Sequence, residues 1–200
     1  MKTPYNEIVN IASIGSQTNP ISLNDILRKA NDEQLTPAAQ NKERVLFLGI
    51  DVQQDFMDNG ALGVPGAHGD VERMTQFIYN NMDKITNIAV SIDTHTPHQI
   101  FHPCWWIDED GNNPAPYTPI TLADLDSGKY RAVIYPRQSR DYVEHLEKDG
   151  KKTLCVWSYH CLQGTSGAAF ENQFANMIYF HSVAKKAVTQ RLVKGQDPLS

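Results

Sequence analysis

Val45-Leu46-Phe47-Leu48-Gly49-Ile50 is the stretch that decides the fold class of this chain, and Asp51 follows it directly. It holds only apolar residues and one glycine, which is typical of a strand covered on both faces of a parallel sheet. A second apolar run, residues 87–92, also ends in an acid, Asp93. Residues 70–82 between the two runs have the apolar spacing of an amphipathic helix. The pattern therefore predicts a βαβ unit with parallel strands and a right-handed crossover.

Weaker patterns extend this interpretation toward both ends of the chain. They predict a helix at 21–30, a helix at 140–148, a strand at 153–157, a helix at 167–178 and a strand at 191–193. Residues 101–136, with several prolines and aromatic side chains, indicate an elaborated loop. We expect residues 1–42 to be an N-terminal extension that packs on the domain or on a partner subunit, with a partly disordered tail as the alternative. Residues 43–200 form the predicted domain.

Composition narrows the class of protein. The chain has 200 residues, of which 40% are apolar and 20% charged, as in a soluble globular domain. Its formal net charge of -5 offers no basic surface for nucleic acid, and no apolar run approaches the roughly 20 residues that span a bilayer. The N-terminus lacks a signal-peptide pattern, and three cysteines without CxxC spacing indicate reduced thiols. We therefore expect a cytoplasmic protein without a nucleic-acid or membrane partner.

Polar side chains follow each predicted strand. Asp51 and Asp93 come directly after the first two strands, His160 follows the third within a few residues, and Lys194 ends the last. The carboxyl ends of parallel strands lie at one edge of a sheet, where open α/β folds bind their ligands. We therefore expect these groups to converge at that edge.

Asp93-Thr94-His95 is a candidate metal-binding segment. Residues i and i+2 of an extended segment point the same way, so the carboxylate and the imidazole can hold one cation. Oxygen and nitrogen donors together suit zinc, iron or manganese. The candidates for a further ligand are His98, His102 and His160. In the alternative interpretation Asp93 caps a turn and the histidines are solvated, as we expect for His68, His145 and His181.

Asp51, Lys194 and Cys161 each have a catalytic and a plain interpretation. A strand-end aspartate can be a buried general base or only a turn former. Lys194 can be a surface lysine or, buried beside Asp51, can stabilise negative charge or lower the pKa of a thiol. Cys161, next to His160, suggests a Cys/His dyad, but adjacent residues of a strand point to opposite faces.

Four segments, in this order, resemble the motifs of the isochorismatase-like cysteine hydrolases, and among these the nicotinamidases most closely. Residues 51–56 with 60–67 resemble the opening signature, and Asp93-Thr94-His95 resembles the metal-binding segment. Residues 157–167 resemble the Trp-Pro-x-His-Cys-x-x-Gly-Thr-x-Gly block, with Ser158 where proline is usual. Residues 193–195 resemble the segment that carries the catalytic lysine. The resemblance implies a three-layer α/β/α fold with a mainly parallel, Rossmann-like sheet.

The resemblance also implies an activity and a set of roles. The enzyme would cleave a small amide through a thioester, with Asp51 deprotonating a cysteine and Lys194 holding the ion pair. A divalent metal, zinc before iron or manganese, would position the substrate. Phe56 and Trp157 would line the substrate pocket, where flat aromatic faces suit a flat ring. The implied metal ligands are Asp93, His95 and His160, with His98 or His102 left open as a further ligand. The expected assembly is a homo-oligomer.

The sequence departs from the family pattern in two places. Residues 101–136, with Trp105 and Trp106, are longer than in the short enzymes, which leaves open a substrate other than nicotinamide. The family's nucleophilic cysteine follows a further strand at a helix N-terminus, and we expect it beyond Ser200 in a longer polypeptide. The alternatives are a metal-only hydrolase, a metal-binding but inactive binding protein, and an isochorismatase-type hydrolase. The Asp-x-His segment argues against the last of these.

Overall fold

The structure is a computed structural model that describes residues 1–199. Those residues divide into two compact units. Unit 1 comprises Met1–Asp93 and Gly164–Lys194, and unit 2 comprises Thr94–Gln163 and 195–199. No helix of the described chain has the length and apolarity that crossing a membrane requires.

A three-stranded parallel sheet forms the centre of unit 1. Its strands are β1 (Leu46–Gly49), β2 (Asn87–Asp93) and β7 (Gln190–Lys194), and β2 lies in the middle. The register of β2 and β7 sets Asp93 opposite Lys194 at their common carboxyl ends. The predicted α/β class with a parallel sheet is therefore confirmed, and all three strands match their sequence predictions to within two residues.

Three helices share one apolar core with the sheet. They are α1 (Leu23–Asn31), α2 (Ala67–Asn80) and α5 (Asn172–Ala184). Gly49 of β1 leaves room for this packing, because a Cβ at this position would meet Phe174 Cζ of α5 at 2.7 Å. The predicted helices lie in the right order, although α5 begins five residues later than the sequence indicates.

The first 42 residues contribute to the core of unit 1. Ile8, Val9, Ile26 and Ala30 are buried within it, and α1 packs against α5. The buried carboxylate of Glu171 accepts hydrogen bonds from the backbone N–H groups of Gly15, Gln173 and Phe174. One side chain therefore caps the N-terminus of α5 and also fastens the N-terminal segment to that helix.

Unit 2 holds the remaining described elements. Two short antiparallel sheets pair β3 (Trp106–Asp108) with β5 (Tyr130–Ala132) and β4 (Pro119–Ile120) with β6 (Leu154–Cys155). The helices are α3 (Leu122–Asp126) and α4 (Pro136–Lys148). Ile100, Trp105, Trp106, Val143 and Val156 form the buried centre of this unit. The region predicted as one elaborated loop thus contains three strands, a helix and the two most deeply buried tryptophans.

Two expectations about the strands are wrong. The strand predicted at 153–157 is only Leu154–Cys155, and it pairs antiparallel with β4 instead of joining the parallel sheet. A short apolar run carries no information about the direction of its partner, so the sequence pattern did not exclude this pairing. One face of the run at residues 45–50 is not covered, since Leu46 and Leu48 of β1 are 60% and 47% exposed and Ile50, just after the strand, is 65% exposed.

Replacing Glu171 by alanine should destabilise the protein by about 2 kcal/mol or more, because the helix cap and the contact to Gly15 are lost together. Urea unfolding of the two proteins measures the difference. Glu43→Ala, which changes an exposed glutamate of the same unit, serves as the control and should leave the midpoint unchanged. Equal midpoints for both variants would contradict the fastening role of Glu171.

Candidate functional site

A lysine bridges two carboxylates at the carboxyl end of the parallel sheet. Lys194 Nζ lies 3.0 Å from Asp51 Oδ2 and 2.5 Å from Asp93 Oδ1. Each of the three residues stands at the end of a different strand of unit 1. The structure thus brings together three of the residues that the sequence predicted to converge.

The electrostatics of this cluster keep Lys194 charged. Partial burial works against the ammonium form, but hydrogen bonds to Asp93 and Asp51 outweigh it and raise the pKa of Lys194. Ser91, on the neighbouring strand β2, donates its hydroxyl to Asp51 Oδ1 at 2.6 Å. The carboxylate of Asp51 is therefore held by one hydroxyl and one ammonium group.

The backbone at Asp51 sets the direction of its side chain. Asp51 has φ 53°, in the left-handed region that few residues other than glycine, asparagine and aspartate adopt readily. Its N–H bonds to Ser91 Oγ at 3.0 Å instead of continuing a strand ladder. Strand β1 therefore ends at this point, and the aspartate turns toward the rim of the sheet.

Gln53, which no sequence pattern singled out, fixes the position of Asp93. Its side chain is fully buried; it donates to the carbonyl oxygens of Asp93 and Ala168 and accepts from the N–H of Asp93 at 2.7 Å. Its only signal in the sequence is its place two residues after the strand-end Asp51. The amide ties the end of β2 to the segment that leads into α5.

Gly167, the second glycine of the Gly-Thr-Ser-Gly segment, lies in unit 1 where there is no room for a side chain. A Cβ at Gly167 would meet Asp55 Oδ2 at 2.0 Å. The backbone next to Gly167 is joined to the same loop, because Gln54 donates its N–H to Ala169 O. Residues 52–55 and 167–171 therefore form one closely packed support beneath the charged cluster.

A mostly apolar cleft of about 570 Å³ opens beside Asp51 in unit 1. Its lining includes the predicted substrate-binding residue Phe56. The volume falls in the range of about 300–1,000 Å³ that is typical of small-molecule sites. The remaining lining is mainly aliphatic and includes Leu48, Ile50, Val64, Val71 and Met74.

Two of the predicted metal ligands meet in unit 2. The rings of His95 and His160 lie 4.9 Å apart between centroids, both residues are 4% exposed, and ligand nitrogens of the two lie within 4.8 Å. His95 is held by backbone bonds, since its N–H donates to Cys161 O and its carbonyl accepts from Gln163 N. His160 arrives there from irregular chain after β6, not from the end of a parallel strand.

The tautomers of these two histidines suit metal binding. His95 Nδ1 lies 2.9 Å from Gly195 O and His160 Nδ1 lies 2.7 Å from Ser158 O. A backbone carbonyl only accepts, so in a neutral imidazole held this way Nδ1 carries the proton and Nε2 is the nitrogen that can bind a metal. Such outer contacts are typical of histidines that bind a metal. Asp93 precedes His95 by two residues and offers a carboxylate oxygen.

The other histidines divide by burial. His102 is fully buried within 6 Å of both rings, and burial lowers its pKa to about 4. His98 and His145 are exposed, and His68 is half-buried beside Asp58. His181 was expected to be solvated, which is wrong, because it is buried and its ring bonds to Ile85 O. Helix α5 is apolar on most sides, so its single imidazole lies inside the core.

Trp157 and the three cysteines belong to unit 2. Trp157 is 37% exposed and packs edge-on against Tyr117. Cys161 is fully buried, and burial raises the pKa of Cys155, which disfavours its thiolate. The thiol of Cys104 donates to Pro97 O.

Comparison with known proteins gives matches among solved structures. No family model and no curated protein matches this chain. The chain is similar to yeast nicotinamidase Pnc1p bound to the inhibitor nicotinaldehyde, with 18% identity, a TM-score of 0.49 and coverage of 77% of this chain and 57% of that one. It is similar to an Acinetobacter baumanii nicotinamidase pyrazinamidase, with 20% identity, a TM-score of 0.47 and coverage of 80% and 55%.

A third match is the pyrazinamidase of Pyrococcus horikoshii in complex with zinc, with 18% identity, a TM-score of 0.40 and coverage of 78% and 54%. The chain thus spans little more than half the length of the structures that it matches. The names of all three describe nicotinamidases or pyrazinamidases.

Gln53→Met should remove the support of Asp93 while keeping the volume of the side chain. We expect a loss of about 1–3 kcal/mol in stability, because a buried N–H and two carbonyl groups lose their partner. The local measurement is amide hydrogen exchange at Asp93, which should become faster than in the wild type. Gln76→Met is the control, since the amide of Gln76 bonds only to Glu72 on the surface of α2. Unchanged exchange at Asp93 would show that Gln53 does not hold this strand end.

Proposed function

We propose that this chain belongs to the isochorismatase-like hydrolases and carries most of the active site of a small-amide hydrolase related to the nicotinamidases. The observation that carries the proposal is the ion-pair cluster of Asp51, Asp93 and Lys194 beside an apolar cleft. The matching motif order and the similarity to nicotinamidase structures support it. We further propose a cytoplasmic protein that assembles as a homo-oligomer.

In the proposed reaction Asp51 accepts the proton of a cysteine thiol, and the thiolate attacks the amide carbonyl. The C–N bond breaks, the proton from Asp51 goes to the leaving nitrogen, and ammonia departs from a thioester. Water then attacks the thioester, gives a proton to Asp51 and releases the carboxylic acid with the thiol restored. Lys194 remains protonated throughout and offsets negative charge beside Asp51. The resemblance assigns the nucleophile to a cysteine in a segment that follows the lysine strand.

We propose that Asp93, His95 and His160 hold a divalent cation. The donor set of one oxygen and two nitrogens suits zinc best, with iron or manganese as alternatives. The Nδ1 contacts of both imidazoles fix their rings with Nε2 as the ligand atom. When bound, the cation would position a heteroatom of the substrate. Phe56 and Trp157 would each offer an aromatic face to a flat substrate ring.

Two alternative functions, a metal-only hydrolase and an inactive binding protein, can be distinguished from the proposed one by measuring ammonia release from amides. A metal-only hydrolase would release ammonia from small amides and would be insensitive to thiol alkylation, whereas the cysteine mechanism is blocked by it. An inactive binding protein would bind the amide without turnover. The panel consists of nicotinamide, pyrazinamide and small carbamates, with ammonia release as the readout in the full-length polypeptide that contains this sequence.

Lys194→Ala should lower amidase turnover by about a thousandfold or more, since members of a catalytic unit act together. Ammonia release from the best amide of the panel measures the effect. Lys84→Ala removes an exposed lysine of the same unit and should leave turnover unchanged. Retained activity in Lys194→Ala, with an unaltered circular dichroism spectrum in both variants, would remove the lysine from the mechanism.

His160→Ala and Asp93→Ala should each strip the cation from the purified protein, because two remaining ligands hold a divalent ion weakly. Elemental analysis after dialysis measures the metal content. His145→Ala changes an exposed histidine of α4 and should retain the wild-type content. Full metal content in the first two variants would contradict the ligand set.

A further inference from the structure

His102 is the group in unit 2 that the proposed function leaves unexplained. Its ring is fully buried, and its Nδ1 lies 3.1 Å from Pro97 O. The carbonyl can only accept, so the proton is on Nδ1 and Nε2 carries a lone pair. That Nε2 is buried and has no hydrogen-bond partner among residues 1–199. A buried acceptor without a donor is unfavourable, which indicates a donor that the described residues do not supply.

The position of His102 relates it to the histidine pair. Its ring centroid lies 5.5 Å from that of His160 and 5.9 Å from that of His95, whereas the latter two are 4.9 Å apart. The side chains whose ligand atoms all lie within 4.8 Å of one another are Asp93, His95 and His160, and His102 is not among them. His102 therefore neighbours the proposed ligands without belonging to the group that can hold one cation.

We propose that His102 Nε2 accepts a hydrogen bond from a water molecule held at the cation, so that His102 positions this water without being a ligand of the metal. The inference rests on the proposed cation site. Gln99, in the neighbouring turn, provides a second buried acceptor of this kind. It is fully buried, and its Oε1 has no hydrogen-bond partner among residues 1–199. Gln99 Nε2 meanwhile donates to Gly195 O, the carbonyl to which His95 Nδ1 also bonds.

The contact should appear in zinc binding as a moderate effect. Groups that support metal ligands from outside typically change metal affinity by about 10–100-fold. We expect His102→Ala to weaken zinc binding by about tenfold while a single zinc ion still binds per chain. His102→Gln, whose amide oxygen also accepts hydrogen bonds, should recover most of this loss. His145→Ala changes an exposed histidine on α4 of the same unit and should bind zinc like the wild type.

Isothermal titration with zinc gives the affinities, and long-range 1H–15N spectra of the wild type with labelled imidazoles give the role of each nitrogen. On saturation with zinc, the Nε2 signals of His95 and His160 should move as those of direct ligands. The Nε2 signal of His102 should move by a smaller amount, and its Nδ1 should keep its proton. The wild-type spectra remain decisive even where His102→Ala does not fold.

Three outcomes would overturn the inference. An unmoved His102 signal together with wild-type affinity in His102→Ala would mean that His102 only packs. A His102 shift as large as that of His95, with zinc binding lost as completely as in His95→Ala, would make His102 a direct ligand. A wild-type protein that binds no zinc would overturn the cation site itself, a failure that the first titration separates from the other two.

Discussion

One ammonium group between two carboxylates organises the carboxyl end of the parallel sheet. Lys194 contacts Asp51 and Asp93, so the ends of β1, β2 and β7 meet through side chains as well as through the strand ladder. Two carboxylates on adjacent strands repel each other, and the raised pKa of Lys194 expresses how strongly they favour a positive charge between them. The cluster is partly open, with Lys194 46% exposed, so its value lies in fixing charge positions more than in stabilising the fold.

Neutral groups hold this charged cluster in place from below. Ser91 contacts Asp51 with both its hydroxyl hydrogen and its oxygen, and Gln53 pairs with both backbone groups of Asp93. The carboxylate of Asp51 and the backbone of Asp93 therefore each have a support that is independent of the lysine. A site built in this way keeps its geometry when protons move, because the supporting hydrogen bonds do not titrate in the neutral range.

The parallel sheet was predictable from the sequence, and the histidine site was only partly so. Three apolar runs predicted the strands: those before Asp51 and Asp93, and the one that ends in Lys194. Their common edge followed as well, because the carboxyl ends of parallel strands lie at the same edge of a sheet. The prediction put His160 at that edge because it treated residues 153–157 as a further parallel strand. That strand in fact pairs antiparallel in unit 2. Its neighbour is His95, which a bridge to Leu162 brings close. Contacts that depend on irregular backbone, including those of Gln53 and His102, leave no periodic signal in a sequence.

The left-handed backbone at Asp51 restricts which residues can occupy this position. A β-branched or bulky side chain would add conformational strain to the loss of the carboxylate. Few residue types can therefore replace Asp51 without destabilising the fold. Asparagine is the exception, because it tolerates this conformation and matches aspartate in shape. A single substitution, Asp51→Asn, can therefore remove the charge at this position without disturbing the turn. A homologue that binds the ligand but no longer converts it could arise through this one change.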